Sequence, residues 1–167
     1  TQTTYTRDPL GRLLRVSAPD LSESFRYDEA GQLIQAENAT GTITRAYDAM
    51  GRLLREDQPH GHVSYQYDAA GNLLERRSSL GHTLRYAWDP SDALREIQID
   101  DHPAIRIQRD LTGRPLTETL NGILSRHFQY DEDGRLRHHE LHEHDVLLRS
   151  RSYSYDLNNR LEHFTDL

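Results

Sequence analysis

Hydrophobic and polar residues alternate along most of this chain. In the segment Val63, Tyr65 and Tyr67, apolar side chains occupy every second position and polar residues lie between them. A period of two with many aromatic residues is typical of a β-strand with one half-buried face. The same pattern recurs at Phe25 and Tyr27, Leu84 with Tyr86 and Trp88, Phe128 and Tyr130, and Tyr153 and Tyr155. No helical period competes with it, so the chain is predicted to be all-β.

Each of these segments ends at an aspartate that begins a short turn. The eight aspartates in register are Asp8, Asp28, Asp48, Asp68, Asp89, Asp110, Asp131 and Asp156. Six of them are followed three residues later by a glycine, at Gly11, Gly31, Gly51, Gly71, Gly113 and Gly134. Successive aspartates are 20, 20, 20, 21, 21, 21 and 25 residues apart. A period of this length indicates a repeat protein, whose units are stable because they stack on their neighbours.

The order Asp-x-x-Gly has a conformational explanation. An aspartate carboxylate accepts hydrogen bonds from backbone donors of a type I turn, and the fourth position often needs a positive φ, which glycine adopts without strain. The two repeats without this glycine have Asp92 and Asn159 there, side chains that tolerate the left-handed region. A second group of glycines lies midway between these turns, at Gly41, Gly61, Gly81 and Gly122, and the two groups account for all 10 glycines. Each repeat is therefore predicted to be a β-hairpin.

A leucine follows seven of the eight turns. These leucines are Leu13, Leu33, Leu53, Leu73, Leu94, Leu136 and Leu161. We expect each to face the preceding aromatic residue across the hairpin, since cross-strand pairs stabilise antiparallel sheets. The predicted fold is a tandem array of antiparallel hairpins over residues 1–167, about sixteen strands, twisted into a spiralling strip.

Composition excludes several functions. Hydrophobic residues are 35% of the chain, which predicts a thin core, and no apolar run is long enough to span a membrane. The first residues, TQTTYTRDPL, lack the features of a signal peptide. With no cysteine there are no disulfides or thiolate sites. The net charge is −7 and the arginines are scattered, so a nucleic acid partner is not expected.

The strongest candidate for chemistry is the segment RHHELHEHDVLLR, from Arg137 to Arg149. If it is extended, His138, Glu140, His142 and His144 share one face, and imidazole with carboxylate could bind zinc. Its repeat is also the one with the 25-residue step. We favour a structural interpretation, the second strand of a hairpin with an insertion, and predict no catalytic, cofactor-binding or metal-binding residue.

The repeated Asp and Arg at each turn are also unsuited to catalysis. Pairs such as Asp48 with Arg52, or Asp131 with Arg135, occur in several nearly identical copies. A catalytic pair needs one special environment, whereas copies in every repeat indicate local ion pairing or capping. No enzyme activity is predicted, and no nucleophile or phosphate-binding motif is present.

The motif YDxxGRL at twenty-residue spacing resembles the YD repeat of Rhs (rearrangement hotspot) proteins, which toxin-complex shell subunits and teneurins share. The resemblance extends from Tyr5 to Phe164. It implies a strip of hairpins that winds into a hollow shell around a C-terminal toxin. The family's self-cleavage signature, D-P-x-G-L, is not matched by DPLGR at Asp8 to Arg12.

The resemblance also implies partners and a location. The partners would be the remaining repeats of a parent shell, the enclosed toxin, and proteins of a secretion apparatus. The shell would be secreted or delivered from a bacterial cell, with a type VI system as one route, in competition between bacteria. The open sheet edges would favour self-association of the isolated chain. The alternative is a cell-surface or carbohydrate-binding module that uses exposed Tyr and Trp88.

Overall fold

The computed structural model describes residues 2–167, which form sixteen β-strands and no helix. The strands are β1 (Thr4–Arg7), β2 (Leu13–Ala18), β3 (Leu21–Tyr27), β4 (Leu33–Asn38), β5 (Gly41–Tyr47), β6 (Leu53–Gln58), β7 (Gly61–Tyr67), β8 (Leu73–Ser78), β9 (Thr83–Trp88), β10 (Leu94–Ile99), β11 (Ile105–Arg109), β12 (Pro115–Leu120), β13 (Leu124–Tyr130), β14 (Leu136–Glu143), β15 (Val146–Tyr155) and β16 (Leu161–Asp166). The predicted all-β fold of antiparallel hairpins is confirmed. In this part of the chain no helix is long and apolar enough to cross a membrane.

The chain divides into two compact units, one ending at Thr83 and the other running from Leu84 to Leu167. Strands β1 to β8 follow one another as an antiparallel meander in the first unit. Strands β9 to β16 do the same in the second. The assignment of residues 1–167 to a single array stays a prediction.

Six of the seven leucines that follow the turns lie opposite the aromatic residue that precedes the turn, as expected, whereas Leu13 lies opposite Arg7. The pairs are Tyr27 with Leu33, Tyr47 with Leu53, Tyr67 with Leu73, Trp88 with Leu94, Tyr130 with Leu136, and Tyr155 with Leu161. In β7, Val63, Tyr65 and Tyr67 are half-buried and Gln66 is exposed. Each pair thus brings two apolar side chains together at the end of a hairpin, beside the aspartate turn.

A register shift lies beside every aspartate turn. In the hairpin β5–β6, Ala46 is opposite Arg55 and Tyr47 is opposite Leu53, so Leu54 has no residue opposite it. The same shift occurs in all eight such hairpins. A bulge of this kind changes the direction of side chains near the end of a ladder. Here it brings the residue before the aspartate opposite the residue that follows the turn, which is Pro115 in β11–β12 and leucine in the other seven hairpins.

Almost nothing in these units is fully buried. Among residues 2–167 only Val16 and Ala104 are buried, with 8% and 7% of their surface exposed. Strand residues are mostly half-buried because, within the described residues, each unit consists of a single sheet with no second layer of its own. The core is therefore even smaller than the thin core expected from composition. Stability must come from contacts between neighbouring strands of the same sheet.

The extra residues of the repeat with the 25-residue step lengthen its hairpin, with eight residues in β14 and ten in β15. His144 was expected on the face of the strand, but it lies in the tight turn between β14 and β15, with Asp145. Their φ angles are 45° and 68°, and a turn with positive φ at both central residues matches the twist of a hairpin.

We expect the 167-residue chain to self-associate through its outermost strands. Every residue of β16 is exposed, including Phe164 at 58%, and within the described residues β16 is hydrogen-bonded to β15 alone. Exposed edge strands pair readily with other chains, and a charge on the edge opposes this pairing. Sedimentation velocity should show concentration-dependent association that Phe164→Lys reduces. A monomer at all concentrations, or association unchanged by Phe164→Lys, would contradict the prediction.

Candidate functional site

The recurring polar site is the aspartate turn itself. At Asp48, Oδ1 accepts hydrogen bonds from the backbone N–H groups of Met50 and Arg52, both at 2.9 Å, and Oδ2 accepts one from Arg52 Nε at 2.6 Å. The backbone closes the turn, because Gly51 N donates to Asp48 O at 3.0 Å and Asp48 N donates to Arg52 O at 2.9 Å. The pKa of the Asp48 carboxyl is lowered, first by the Arg52 backbone donor and then by its side chain.

The other turns use the same geometry. In four of the five turns whose fifth residue is arginine, the carboxylate binds both its backbone N–H and its Nε, as in Asp8 with Arg12, Asp110 with Arg114, and Asp131 with Arg135. In the remaining turns the carboxylate still accepts from the fifth backbone N–H, as in Asp28 with Gln32, Asp68 with Asn72, Asp89 with Ala93, and Asp156 with Arg160. Each aspartate therefore organises its own turn, consistent with the local capping expected from sequence.

Arginine also links four of the turns to the next repeat. The guanidinium of Arg52 lies 4.9 Å from the centre of the Tyr67 ring, and its Nη1 donates to Asp68 O at 2.9 Å. A guanidinium over an aromatic face is attracted by the ring quadrupole. The same stacking joins Arg12 to Tyr27 at 5.0 Å, Arg114 to Tyr130 at 4.7 Å, and Arg135 to Tyr155 at 5.1 Å.

The tyrosine hydroxyl completes this contact. Tyr67 donates to the carbonyl of Leu53 at 3.0 Å, and Leu53 follows the turn that holds Arg52. Equivalent bonds at 2.9 Å run from Tyr47 to Leu33, Tyr130 to Pro115, and Tyr155 to Leu136. We call the set formed by the aspartate, its arginine, and the tyrosine of the next repeat the Asp–Arg–Tyr ladder. It joins successive hairpins by side chains, in addition to the backbone bonds of the strands.

The glycines of the aspartate turns are explained by their backbone conformation, and at Gly134 by limited space as well. The six glycines of the aspartate turns have φ between 81° and 101°, and Asp92 and Asn159 at the equivalent positions have 60° and 63°. Space is also limited: a Cβ on Gly134 would lie 2.7 Å from Arg114 Nη1, the arginine of the preceding repeat. The side chain of Arg114 thus occupies the space beside Gly134 in the next turn.

The histidine segment forms a hydrogen-bonded row. Glu140 lies between His138 and His142, whose Nε2 atoms are 3.1 Å and 3.0 Å from its two carboxylate oxygens. His144 lies in the turn, away from this row. The residues that the structure describes contain no group of three or more histidines and carboxylates placed to hold a metal.

The ladder between repeats was missed by sequence reasoning, although a signal exists. Wherever the fifth turn residue is arginine and another repeat follows, that next repeat has tyrosine before its aspartate. Where the residue is Ala93, the next repeat has Arg109 instead of tyrosine. Such paired variation between neighbouring repeats indicates contact across the repeat boundary.

Comparison with known proteins places this geometry in a family. The sequence profile described as teneurin YD-shell matches residues 1–117. Double-stranded DNA deaminase toxin A of Burkholderia cenocepacia is 34% identical over 134 residues, which are 80% of this chain and 8% of that protein.

Solved structures share the fold. A crystal structure of TcdB2-TccC3-Cdc42 matches 95% of this chain with a TM-score of 0.77 and 19% identity, over 10% of its own chain. A Photorhabdus luminescens Tc holotoxin pore matches 99% with a TM-score of 0.74 and 18% identity, again over 10% of its chain. The present chain therefore spans about a tenth of the length of the proteins it matches.

Substitution of a turn glycine should cost more than substitution beside it. Gly71 has a φ of 101°, where a β-branched side chain is strained by roughly 1–3 kcal/mol. Ala70 lies in the same exposed turn without a positive φ. Gly71→Val should therefore lower the urea midpoint of the chain more than Ala70→Val does. Equal midpoints for the two variants would show that the turn does not depend on this conformation.

The ladder predicts that one substitution will stabilise the chain. Gln32 occupies the arginine position before Tyr47, whose hydroxyl already donates to Leu33. Gln32→Arg should add a cation–π contact worth about 0.5–1 kcal/mol at a half-exposed site. Urea unfolding of Gln32→Arg, with and without Tyr47→Leu, would measure the coupling. A gain that persists without the tyrosine ring would argue against the contact.

Proposed function

This chain belongs to the teneurin YD-shell family, and we propose that it is a segment of the wall of a shell that encloses a toxin domain. The wall segment has no catalytic activity of its own. Its partners are further YD repeats of the parent protein and the enclosed toxin. The parent is secreted or delivered from a bacterial cell, by a type VI system or an equivalent apparatus, and acts in competition between bacteria.

Three comparisons support enclosure. The matching family is described as a shell, the curated relative is named as a toxin, and the similar solved structures are of Tc toxin components. The chain matches only a small part of each of these proteins, as a wall segment would. The activity named for the Burkholderia protein is a property of that whole protein, and on our proposal it would reside outside the wall repeats.

The observation that carries the proposal is that the distinctive polar residues of the repeats bind the chain itself. Asp48, Arg52 and Tyr67 are engaged with backbone groups and with one another, and equivalent residues do the same in other repeats. A catalytic residue has to present a reactive group to a substrate in one special environment. Residues that are used in this way in repeat after repeat build a wall, and this supports a role without catalysis.

The ladder also weakens the carbohydrate-binding alternative. A sugar would stack on an aromatic face, but one face of Tyr27, Tyr67, Tyr130 and Tyr155 is covered by a guanidinium. The hydroxyls of the last three of these tyrosines donate to carbonyls of the chain and are not free to donate to a ligand. These aromatic residues therefore serve the sheet itself.

Deletion in the parent protein tests enclosure. Removal of Ser24–Glu56 deletes β4 and β5 with most of β3 and β6, and so breaks the meander at two aspartate turns. We expect the toxin domain to become sensitive to protease or to leak, while its intrinsic activity persists. Limited proteolysis of the parent and the deletion variant, followed by an activity assay of the released domain, measures both.

A surface substitution serves as the control. Leu80 is 76% exposed in the turn before Gly81, between β8 and β9, so Leu80→Ser should leave the toxin domain protected. Equal protection in the deletion variant and the intact parent would overturn the proposal. Loss of glycan binding in that same variant would favour the carbohydrate-binding module.

A further inference from the structure

The lengthened hairpin β14–β15 has histidines on both faces of its sheet. On one face Glu140 accepts from His138 and His142, and the ring of His127 on β13 lies 5.2 Å from that of His142. His139 lies on the other face, because neighbouring residues of a strand point to opposite sides. The two faces therefore place imidazoles in different chemical surroundings within one hairpin.

His139 is the middle ring of a three-strand aromatic stack. Its ring centroid is 6.1 Å from that of Phe128 on β13 and 5.8 Å from that of Tyr153 on β15, the latter nearly parallel at 22°. The Tyr153 hydroxyl is 3.2 Å from His139 Nδ1. A neutral ring can accept this hydrogen bond, whereas an imidazolium has no acceptor and can only donate.

The charged groups around this stack are mostly cationic. Four charged groups face His139: Arg126 on β13, Arg149 and Arg151 on β15, and Asp166 on β16. Glu118 on β12 forms an ion pair with Arg126. Arg151 is the direct cross-strand partner of His139. Asp166 is already paired with both Arg149 and Arg151. A proton on His139 would thus add a positive charge beside arginines whose shared counter-ion is already engaged.

We propose that the β14–β15 hairpin is an acid-responsive element, in which protonation of His139 loosens the Phe128–His139–Tyr153 stack and opens the hairpin locally. The response lies in the strand pair itself and does not depend on enclosure of a toxin. Hairpins without histidine, such as β11–β12, stay closed over the same pH range.

The sign of the response follows from linkage. The pKa of His139 is lowered, first by burial and then by Arg151, Arg126, His138 and Arg149. A histidine whose folded pKa is lowered contributes stability above its unfolded value of about 6.5, and this contribution is lost as the pH falls below that value. The pKa of Glu140 is lowered by His142 and His138, so its carboxylate stays ionised over this range and continues to bind both imidazoles.

Hydrogen–deuterium exchange of the full chain tests this proposal. Between pH 7.5 and 5.5, after correction for intrinsic exchange, the opening of residues 136–155 should increase by up to about tenfold, the limit for one proton linked over one pH unit. The matched control is residues 105–120 in the same unit, which contain an aspartate turn but no histidine. Their exchange should not change. Equal changes in both segments would overturn the proposal.

Two variants separate the faces of the hairpin. His139→Phe keeps an aromatic ring in the stack but cannot titrate, so it should abolish the pH effect and retain protection at pH 7.5. His142→Gln removes an imidazole from the opposite face and should leave the pH effect intact. An undiminished effect in His139→Phe, or its loss in His142→Gln, would contradict the assignment.

A measurement on the unmodified chain makes the test independent of the variants. The side-chain nuclear magnetic resonance signals of His139 should titrate with a midpoint below 6.5, and the signals of residues 136–155 should broaden over the same interval. A midpoint at or above 6.5 would overturn the proposal even if neither variant folded.

Discussion

The structure depends on one constraint: each sheet is a single layer, so that side chains have almost no interior in which to be buried. Full burial of one leucine stabilises a fold by about 1.5–3 kcal/mol, and an ordinary domain contains many such residues. Here only Val16 and Ala104 are buried among residues 2–167. Contacts that run within the sheet, from one repeat to the next, must replace the missing core.

The Asp–Arg–Tyr ladder provides such contacts because each member has more than one role. Arg52 binds the carboxylate of its own turn, covers the ring of Tyr67, and donates to the carbonyl of Asp68. A cation–π contact adds about 0.5–1 kcal/mol at exposed sites, so four such contacts together contribute about as much as one buried leucine. Their larger effect is on register, since a strand shifted by one residue would turn its tyrosine to the opposite face.

Most of the fold could be predicted because its signals are local. Asp-x-x-Gly specifies a turn within four residues, and alternation specifies a strand within six, so the turns at Asp48 and Asp131 and the pairs such as Tyr67 with Leu73 followed from the sequence. The ladder did not, because it joins residues of different repeats, such as Arg114 and Tyr130. Its geometry depends on the bulge beside each turn, which the alternation of apolar residues does not reveal.

The histidine segment was harder to predict for a different reason. Alternation placed His138, Glu140 and His142 correctly on one face, but His144 was assigned to the same strand. The strand ends one residue earlier because His144 and Asp145 both adopt positive φ and form the turn. Aspartate is a common turn residue, but histidine is not among the usual ones. In addition, the longer strand moves this turn away from the position that the repeat spacing predicts.

A single-layer sheet built from ladders is well suited to the proposed wall. A wall needs two accessible faces and must extend by adding identical parts, which a globular core does not allow. Stability that depends on neighbouring repeats also makes the structure tolerant of local change, because the loss of one contact, as at Gln32, leaves the backbone pairing and the tyrosine hydroxyl bond in place. Sequence differences between repeats can therefore accumulate on either face, and the lengthened hairpin β14–β15 combines unusual side chains with the same turn chemistry at Asp131 and Asp156.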